Sequence, residues 1–366
     1  MTLQEKIDLA RSRKTPAETL SALAKDEDFE VRFAVSKNPH TPVETLAELA
    51  KNIYNRHEVS SNPNTSAETL AELAKSENEY IRRNVAVHEH TSSDTLAVMA
   101  ADTDEEIREQ VANNPHTLPE TLSILAKDAD CYVRKAVAEN LNTLPETLAE
   151  LAAKDCDEYV LYEVARNPHT PAETLAQLAK DQDCTIREAV AENLNTPSKI
   201  LSALAHDDDW EVRYAVAKNP HTPPGILTKL ARDKDLAVLY SVAKNTDTPP
   251  ETLAQLALKA DRNIRFAVAW NPSTPADTLF TLAHAPEREV RYDVSLNKRT
   301  PAAALSELAK ESDSKIREAV AWNPNTSEET LAKLARDENL DVSRAALKAL
   351  HPEKKTQEAP ARGLHI

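Results

Sequence analysis

Glycine is nearly absent from this chain, with 2 residues in 366. Turns therefore cannot depend on left-handed glycine and must be built from other residues. Aromatic residues make up only 4%, few for one large globular core. Cysteine occurs 3 times, as Cys131, Cys156 and Cys184. Their spacings match no zinc or iron–sulfur pattern, and an odd count excludes a full disulfide framework, so a reducing, cytoplasmic setting is expected. No apolar run approaches the roughly 20 residues of a membrane span, and residues 1–14 are too charged for a signal peptide. Positive charge is in deficit, with a net charge of −16. That argues for solubility and against nucleic acid or an anionic membrane as the default partner.

What the chain has in abundance is repetition. A threonine opens each of 13 units, at Thr15, Thr41, Thr65, Thr91, Thr117, Thr143, Thr170, Thr196, Thr222, Thr248, Thr274, Thr300 and Thr326, nearly all 26 residues apart. A fixed period in the range of about 20–50 residues marks a solenoid or array, in which each repeat contacts mainly its neighbours. Each unit reads as two short helices. The first carries Leu20, Leu23 and Ala24 at i, i+3, i+4, an inward stripe. The Leu20 column is Leu in all 13 units, and the Leu23 column departs only at Met99. In Thr15-Pro16-Ala17-Glu18 the threonine is expected as N-cap, with proline at N1 and a glutamate closing a capping box. Lys199, Gly225 and Ala303 break that box.

The second helix begins at Asp28 and its counterparts, Asp or Asn in every unit except Glu287, and buries Val31, Ala34 and Val35. It stops at Asn-Pro, as at Asn38-Pro39. Repeat 2 has only 24 residues and puts Asn55 in the Val31 column, so a local irregularity is expected there. Repeat 6 has one extra residue near Ala152-Ala153.

The motif V-R-x-A-V-A-x-N-P-x-T-P-x-E-T-L-x-x-L-A, clearest from Val212-Arg213 to Asn219-Pro220-His221-Thr222-Pro223 and from Ile264-Arg265 to Asn271-Pro272, resembles the leucine-rich repeat variant family. More distantly it resembles HEAT-like repeats. The resemblance runs from about Thr15 to Leu347. It implies an all-α, right-handed solenoid without a sheet, one helix per repeat being 3₁₀-like. The family's N-terminal iron–sulfur cysteine cluster does not carry over, since residues 1–30 hold no cysteine. The expected organisation is a capping helix over 1–14 (Leu3, Ile7 and Ala10 facing inward), a solenoid over 15–350 and a disordered tail over 351–366.

Three patterns invite a chemical reading. Arginine recurs one residue after the Val31 column in 10 of 13 units, with Leu161 and Leu239 interrupting. A phosphate track is conceivable, but an equally regular acid column favours structural ion pairs, with the arginine's own N-cap acid or the neighbouring repeat's. His40, His90, His116, His169 and His221 precede the threonine, sharing their column with Asn64, Asn142, Asn195, Asp247 and Asn325. This reads as turn chemistry, not a metal ladder. No nucleophile motif or phosphate loop is present, so no catalytic, cofactor-binding or metal residue is assigned and no cofactor is expected.

The third pattern is the variable face of the second helices, positions 29, 33 and 37 of the unit, spaced i, i+4, i+8. In repeats 8–12 it gathers Trp210, Tyr214, Tyr240, Phe266, Trp270, Tyr292 and Trp322, interleaved with Lys218, Lys244, Arg262 and Arg288. In repeats 4, 5 and 7 it carries Glu105, Glu109, Glu139, Glu188 and Glu192. Aromatics with arginine on a variable surface have the composition of binding hot spots. The function expected is a non-enzymatic protein- or peptide-binding scaffold using Trp210, Tyr214, Tyr240, Arg262, Phe266, Trp270, Arg288, Tyr292 and Trp322. The alternative is a nucleic-acid-associated repeat protein using the same aromatic–basic face on a single strand.

Overall fold

A computed structural model describes residues 1–351. The tail expected from 351 onward lies, apart from His351, outside them. The described residues form 27 α-helices, numbered α1–α27 in chain order, and no strand. They fall into two compact units, Met1–Asn195 and Thr196 onward, each an α-solenoid stack. Within a unit, second helices pack on second helices in one layer and first helices lie beside them in another.

The first helices are short, as in α2 (Ala17–Leu23) and α20 (Pro250–Ala257), and the second helices mostly run nine residues, as in α3 (Phe29–Lys37). Leu20, Leu46, Leu70, Leu96, Leu122, Leu148, Leu175, Leu201, Leu227, Leu253, Leu279 and Leu305 are all fully buried between the layers. The Val31 and Val35 columns are buried with them. So is the next column, with Ala86, Ala138, Ala217, Ala243, Ala269 and Ala321, because each inner second helix is covered on both flanks by its neighbours. Only small side chains fit there. Both helices of a repeat are α-helical. Bonds of 3₁₀ type, such as Lys25 N donating to Ala22 O, close the ends of the first helices.

The second helices are capped as expected. Asp28, Asn78, Asp104, Asp130, Asp157, Asp235, Asp261, Asp313 and Asn339 each accept a backbone N–H of the first turn. The first-helix threonines are not caps. Pro16 is the N-cap of α2, with ψ 149° and no side-chain cap bond. The first helices start one residue later whether the N-cap is Pro16, Ser66 or Leu118, so the threonine lies one residue too early to reach the N3 amide. The threonine hydroxyls instead point back into the repeat before: Thr41 Oγ1 donates to Val35 O at 2.6 Å and Thr274 Oγ1 to Val268 O at 2.6 Å. A true capping box occurs at Thr2 and Glu5 of α1 (Leu3–Arg11). In repeat 2, Asn52 turns the chain by accepting Tyr54 N, and α5 (Arg56–Ser60) starts late, after Asn55.

Asparagine does more than end the helix. Asn271 Nδ2 donates to Ala243 O and Asn245 O of the repeat before, and Asn297 Nδ2 to Ala269 O and Asn271 O, all within 3.0 Å. Asn271 Oδ1 accepts Ser273 N. A buried amide thus satisfies the orphan carbonyls at one helix end while shaping its own turn. Where the column holds His88, the imidazole does both jobs: Nε2 lies 2.8 Å from Asn62 O, and Nδ1 accepts His90 N.

Candidate functional site

The arginines resolve first, because their placement decides what the surface can bind. Arg82, Arg108, Arg213 and Arg317 each pair through Nε with an acid 20 residues on, at Asp102, Asp128, Asp233 and Asp337, over 2.6–2.7 Å. Each also donates through Nη1 to turn carbonyls of its own repeat, as Arg82 does to Ser76 O and Glu77 O. The partner is therefore the acid of the next repeat, two residues before its N-cap, and not the arginine's own cap residue. The side chains of Arg213 and Asp233 are only 9% and 8% exposed. Burial alone would raise the Asp233 pKa, but the Arg213 hydrogen bonds hold it below the ordinary value. Exceptions follow the same logic. Ala285 replaces the acid, and Arg265 turns to Glu287 instead, which accounts for a glutamate that makes no side-chain cap bond. Where Leu239 replaces arginine, Lys259 stands in the acid column. These guanidiniums stitch repeats together and are not laid out as a phosphate track.

The histidine column serves the turns. Asn64 Nδ2 donates to Pro39 O of the preceding turn, and His90 Nδ1 sits 3.2 Å from Thr65 O.

The aromatic face lies in the second unit, on α17 (Trp210–Lys218), α19 (Leu236–Lys244), α21 (Arg262–Trp270), α23 (Arg288–Leu296) and α25 (Ser314–Trp322). Trp270 is 58% exposed and Trp322 53%, with Trp210 and Phe266 also exposed. Tyr214, Tyr240 and Tyr292, at the middle position, are half-buried against neighbouring helices. Trp210 and Tyr214 meet edge to face at 6.4 Å, and Lys244 Nζ lies 5.6 Å from the Tyr240 ring centre. Arg288 is committed to Asp313. Arg262 is exposed at the start of α21 and acts on Glu287, whose pKa is lowered chiefly by its hydrogen bond from Arg265.

Two grooves flank Phe266. One, of about 380 Å³, is lined by Arg262, Asn263, Phe266, Glu287, Glu289 and Val290. The other, of about 410 Å³, is lined by Leu236, Ala237, Tyr240, Asp261, Asn263 and Phe266. The sequence pattern brings the aromatics to one face, and the fold adds indentations and acids between them.

A second aromatic group lies in the first unit, at the same positions 29, 33 and 37 of the repeat, joined by Tyr54. Phe29 lies 5.7 Å from Phe33 and 6.3 Å from Tyr54, with Lys37 Nζ 5.0 Å from the Phe33 ring centre. Tyr54 belongs to the irregular repeat 2, off the regular columns, so no periodic argument reaches it.

Residues 210–235, one repeat length, match the model of the leucine rich repeat variant family. Among solved structures, the chain is similar to "a leucine-rich repeat variant with a novel repetitive protein structural motif". Identity is 28% over 61% of this chain and 88% of that one, with a TM-score of 0.46. It is also similar to the karyopherin chain of a Kap95p–RanGDP structure, at 10% identity over 96% of this chain and 66% of that one, TM-score 0.43. A third is Kap121p bound to Ste12p, at 13% identity over 95% and 46%, TM-score 0.41. No curated protein sequence matches. No helix among the described residues is long and apolar enough to cross a membrane.

Proposed function

We propose that the chain is a non-enzymatic scaffold that binds a protein or peptide across the second-helix face of repeats 8–12. Trp210, Tyr214, Tyr240, Arg262, Phe266, Trp270, Arg288, Tyr292 and Trp322 form the contact set. The observation that carries this reading is the exposure of Trp270 and Trp322 in a stack whose leucine and valine columns are buried without remainder. A large aromatic ring hides roughly 150–250 Å² when covered, and covering it is among the strongest contributions an interface receives. The grooves on either side of Phe266 give such a partner relief to fit into.

Protein is the better match than a single nucleic-acid strand. Two of the face's cations are engaged, Arg288 by Asp313 and Lys244 by the Tyr240 ring. Asp261, Glu287 and Glu289 line the same grooves, and phosphates would meet these acids and a net charge of −16. The test is quantitative affinity capture with the wild-type chain and with Trp270→Ala/Tyr292→Ala, beside a mobility-shift assay on labelled oligonucleotides. A protein enriched by the wild type and lost with the double variant supports the scaffold. A salt-sensitive oligonucleotide shift abolished by the same variant would replace it with the nucleic-acid reading.

A further inference from the structure

Among the described residues, two arginines of the ladder, Arg32 and Arg56, have no acid. In the complete rungs the acid does two things. Asp102 Oδ1 accepts Asp104 N at 3.0 Å, closing the turn before the second helix, and the same carboxylate takes Nε and Nη2 of Arg82 at 2.7 and 3.1 Å. Asp128 does both for Asp130 N and Arg108, and Asp337 for Asn339 N and Arg317. Twenty residues after Arg32 and Arg56 stand Asn52 and Ser76. Both keep the turn: Asn52 Oδ1 accepts Tyr54 N at 3.0 Å, and Ser76 Oγ accepts Asn78 N at 3.2 Å. Both therefore sit in the acid's place, and neither supplies the carboxylate.

Arg32 is posed as its counterparts are. Its Nη1 donates to Asp26 O and Glu27 O at 2.7 Å, as Nη1 of Arg82 does to Ser76 O and Glu77 O. An asparagine whose oxygen closes the turn offers an amide nitrogen where aspartate offers its second oxygen, and two donors cannot bond. Nε of Arg32 is accordingly buried without a partner. Its Nη2 has no protein partner either and, unlike Nε, is open to solvent. Arg56 donates through Nε to Ala50 O at 3.0 Å, and its two Nη groups have no protein partner. It lines a groove of about 400 Å³. The acids of that groove are engaged, Glu72 by Lys75 and Glu68 by the Ser66 hydroxyl. A guanidinium edge left open is shaped for a carboxylate. Phe29, one turn before Arg32 on α3, and Tyr54 stand beside it as exposed rings.

We propose that Arg32 and Arg56 take two carboxylates of an acidic partner segment, which docks across repeats 1 and 2 and supplies there the acids that the ladder lacks. The surface is separate from the aromatic face of the second unit and does not depend on it. Successive second helices lie about 8–10 Å apart. Acidic residues three apart in an extended segment, at about 3.3 Å per residue, match that spacing. Phe29 and Tyr54 give the residues around them apolar contact. The net charge of −16 repels acidic ligands in general, so binding falls to the cations that no acid of the chain has matched.

The test titrates oligo-glutamate, oligo-lysine and inorganic phosphate against the full chain at fixed ionic strength, with melting temperature recorded for every protein. The proteins are wild type, Arg32→Gln, Arg56→Gln, Asn52→Asp, Ser76→Asp and, as a control, Lys229→Gln at an exposed lysine of α18 (Pro224–Leu230). Each substitution lowers the net charge by the same amount, so a general field effect would weaken all of them alike. Asn52→Asp and Ser76→Asp install the missing acids within the chain and keep the turn. The expected result is binding of oligo-glutamate by wild type, weakened about tenfold by each arginine substitution and by each installed aspartate, and less than about twofold by Lys229→Gln. Asn52→Asp should also melt higher than wild type, because it pairs Arg32. This variant keeps the test decisive if Arg32→Gln fails to fold. Oligo-glutamate that does not bind wild type, or an equal weakening by Lys229→Gln, overturns the proposal. So does an Asn52→Asp that melts higher yet binds as wild type does, or one that gains no stability, since position 52 would then not be the ladder's acid. Phosphate binding as tightly as the peptide would replace the partner segment with a small anion.

Discussion

Two buried charges in the second-helix layer have opposite consequences. Arg213 is fully engaged, with Asp233 on one side and turn carbonyls on the other. Removing it leaves a buried carboxylate without its cation, so Arg213→Ala should cost about 3–5 kcal/mol in chemical denaturation. Asp233, held low in the folded state, contributes stability that is complete above its unfolded pKa and is lost as pH falls through the folded one. Asp102, Asp128, Asp155 and Asp337 are shifted the same way, so acid unfolding should set in below about pH 4. Asp293 runs the other way. A pKa raised to about 6 means that its penalty is absent below the unfolded pKa, grows as pH rises between about 4 and 6, and is complete above that. Asp293→Ala should therefore stabilise the chain by on the order of 3 kcal/mol at pH 7.5 and by little at pH 4. Melting curves of variant and wild type at the two pH values check the sign. Equal gains at both would show that the carboxylate is not the cause.

At the scale of the element, a repeat is a pair of helices that buries its stripe only against neighbours. Leu253 of α20 is fully buried, and its truncation to alanine should cost about 2–5 kcal/mol. Hydrogen exchange should accelerate first in α19, α20 and α21; a uniform acceleration throughout residues 196–351 would contradict stacking by nearest neighbours. The 26-residue period made the leucine, alanine and valine columns and the aspartate caps legible, because each depends only on position within its own repeat. What the sequence could not show depends on the repeat next door. The threonine column has the composition of a cap, but the first helices start one residue later, with or without proline there, and the hydroxyl goes to the preceding repeat. The arginines had two regular acid columns to choose between, and only packing selects the one 20 residues on. Asn-Pro reads as a stop signal, while the side-chain ladder it builds needs a neighbour's carbonyls. The outer positions of the i, i+4, i+8 face were legible as exposed, whereas the middle one is half-buried at Tyr214, Tyr240 and Tyr292. The grooves beside Phe266 were not legible.

In the whole molecule, a scaffold that repeats carries a face that varies. Net charge should govern how fast a partner arrives, and the aromatic face how long it stays. The most direct measurement is the dissociation constant of the captured partner for Trp270→Ala/Tyr292→Ala against wild type, with melting temperature recorded for both. Trp270 is exposed and Tyr292 half-buried, so the fold should lose far less than with Leu253→Ala. Binding should weaken by at least ~2 kcal/mol, about thirtyfold, the scale of a hot-spot truncation. Equal affinity in a variant that remains folded, or a loss of binding that merely tracks unfolding with affinity per folded molecule unchanged, would contradict the claim that this face holds the partner.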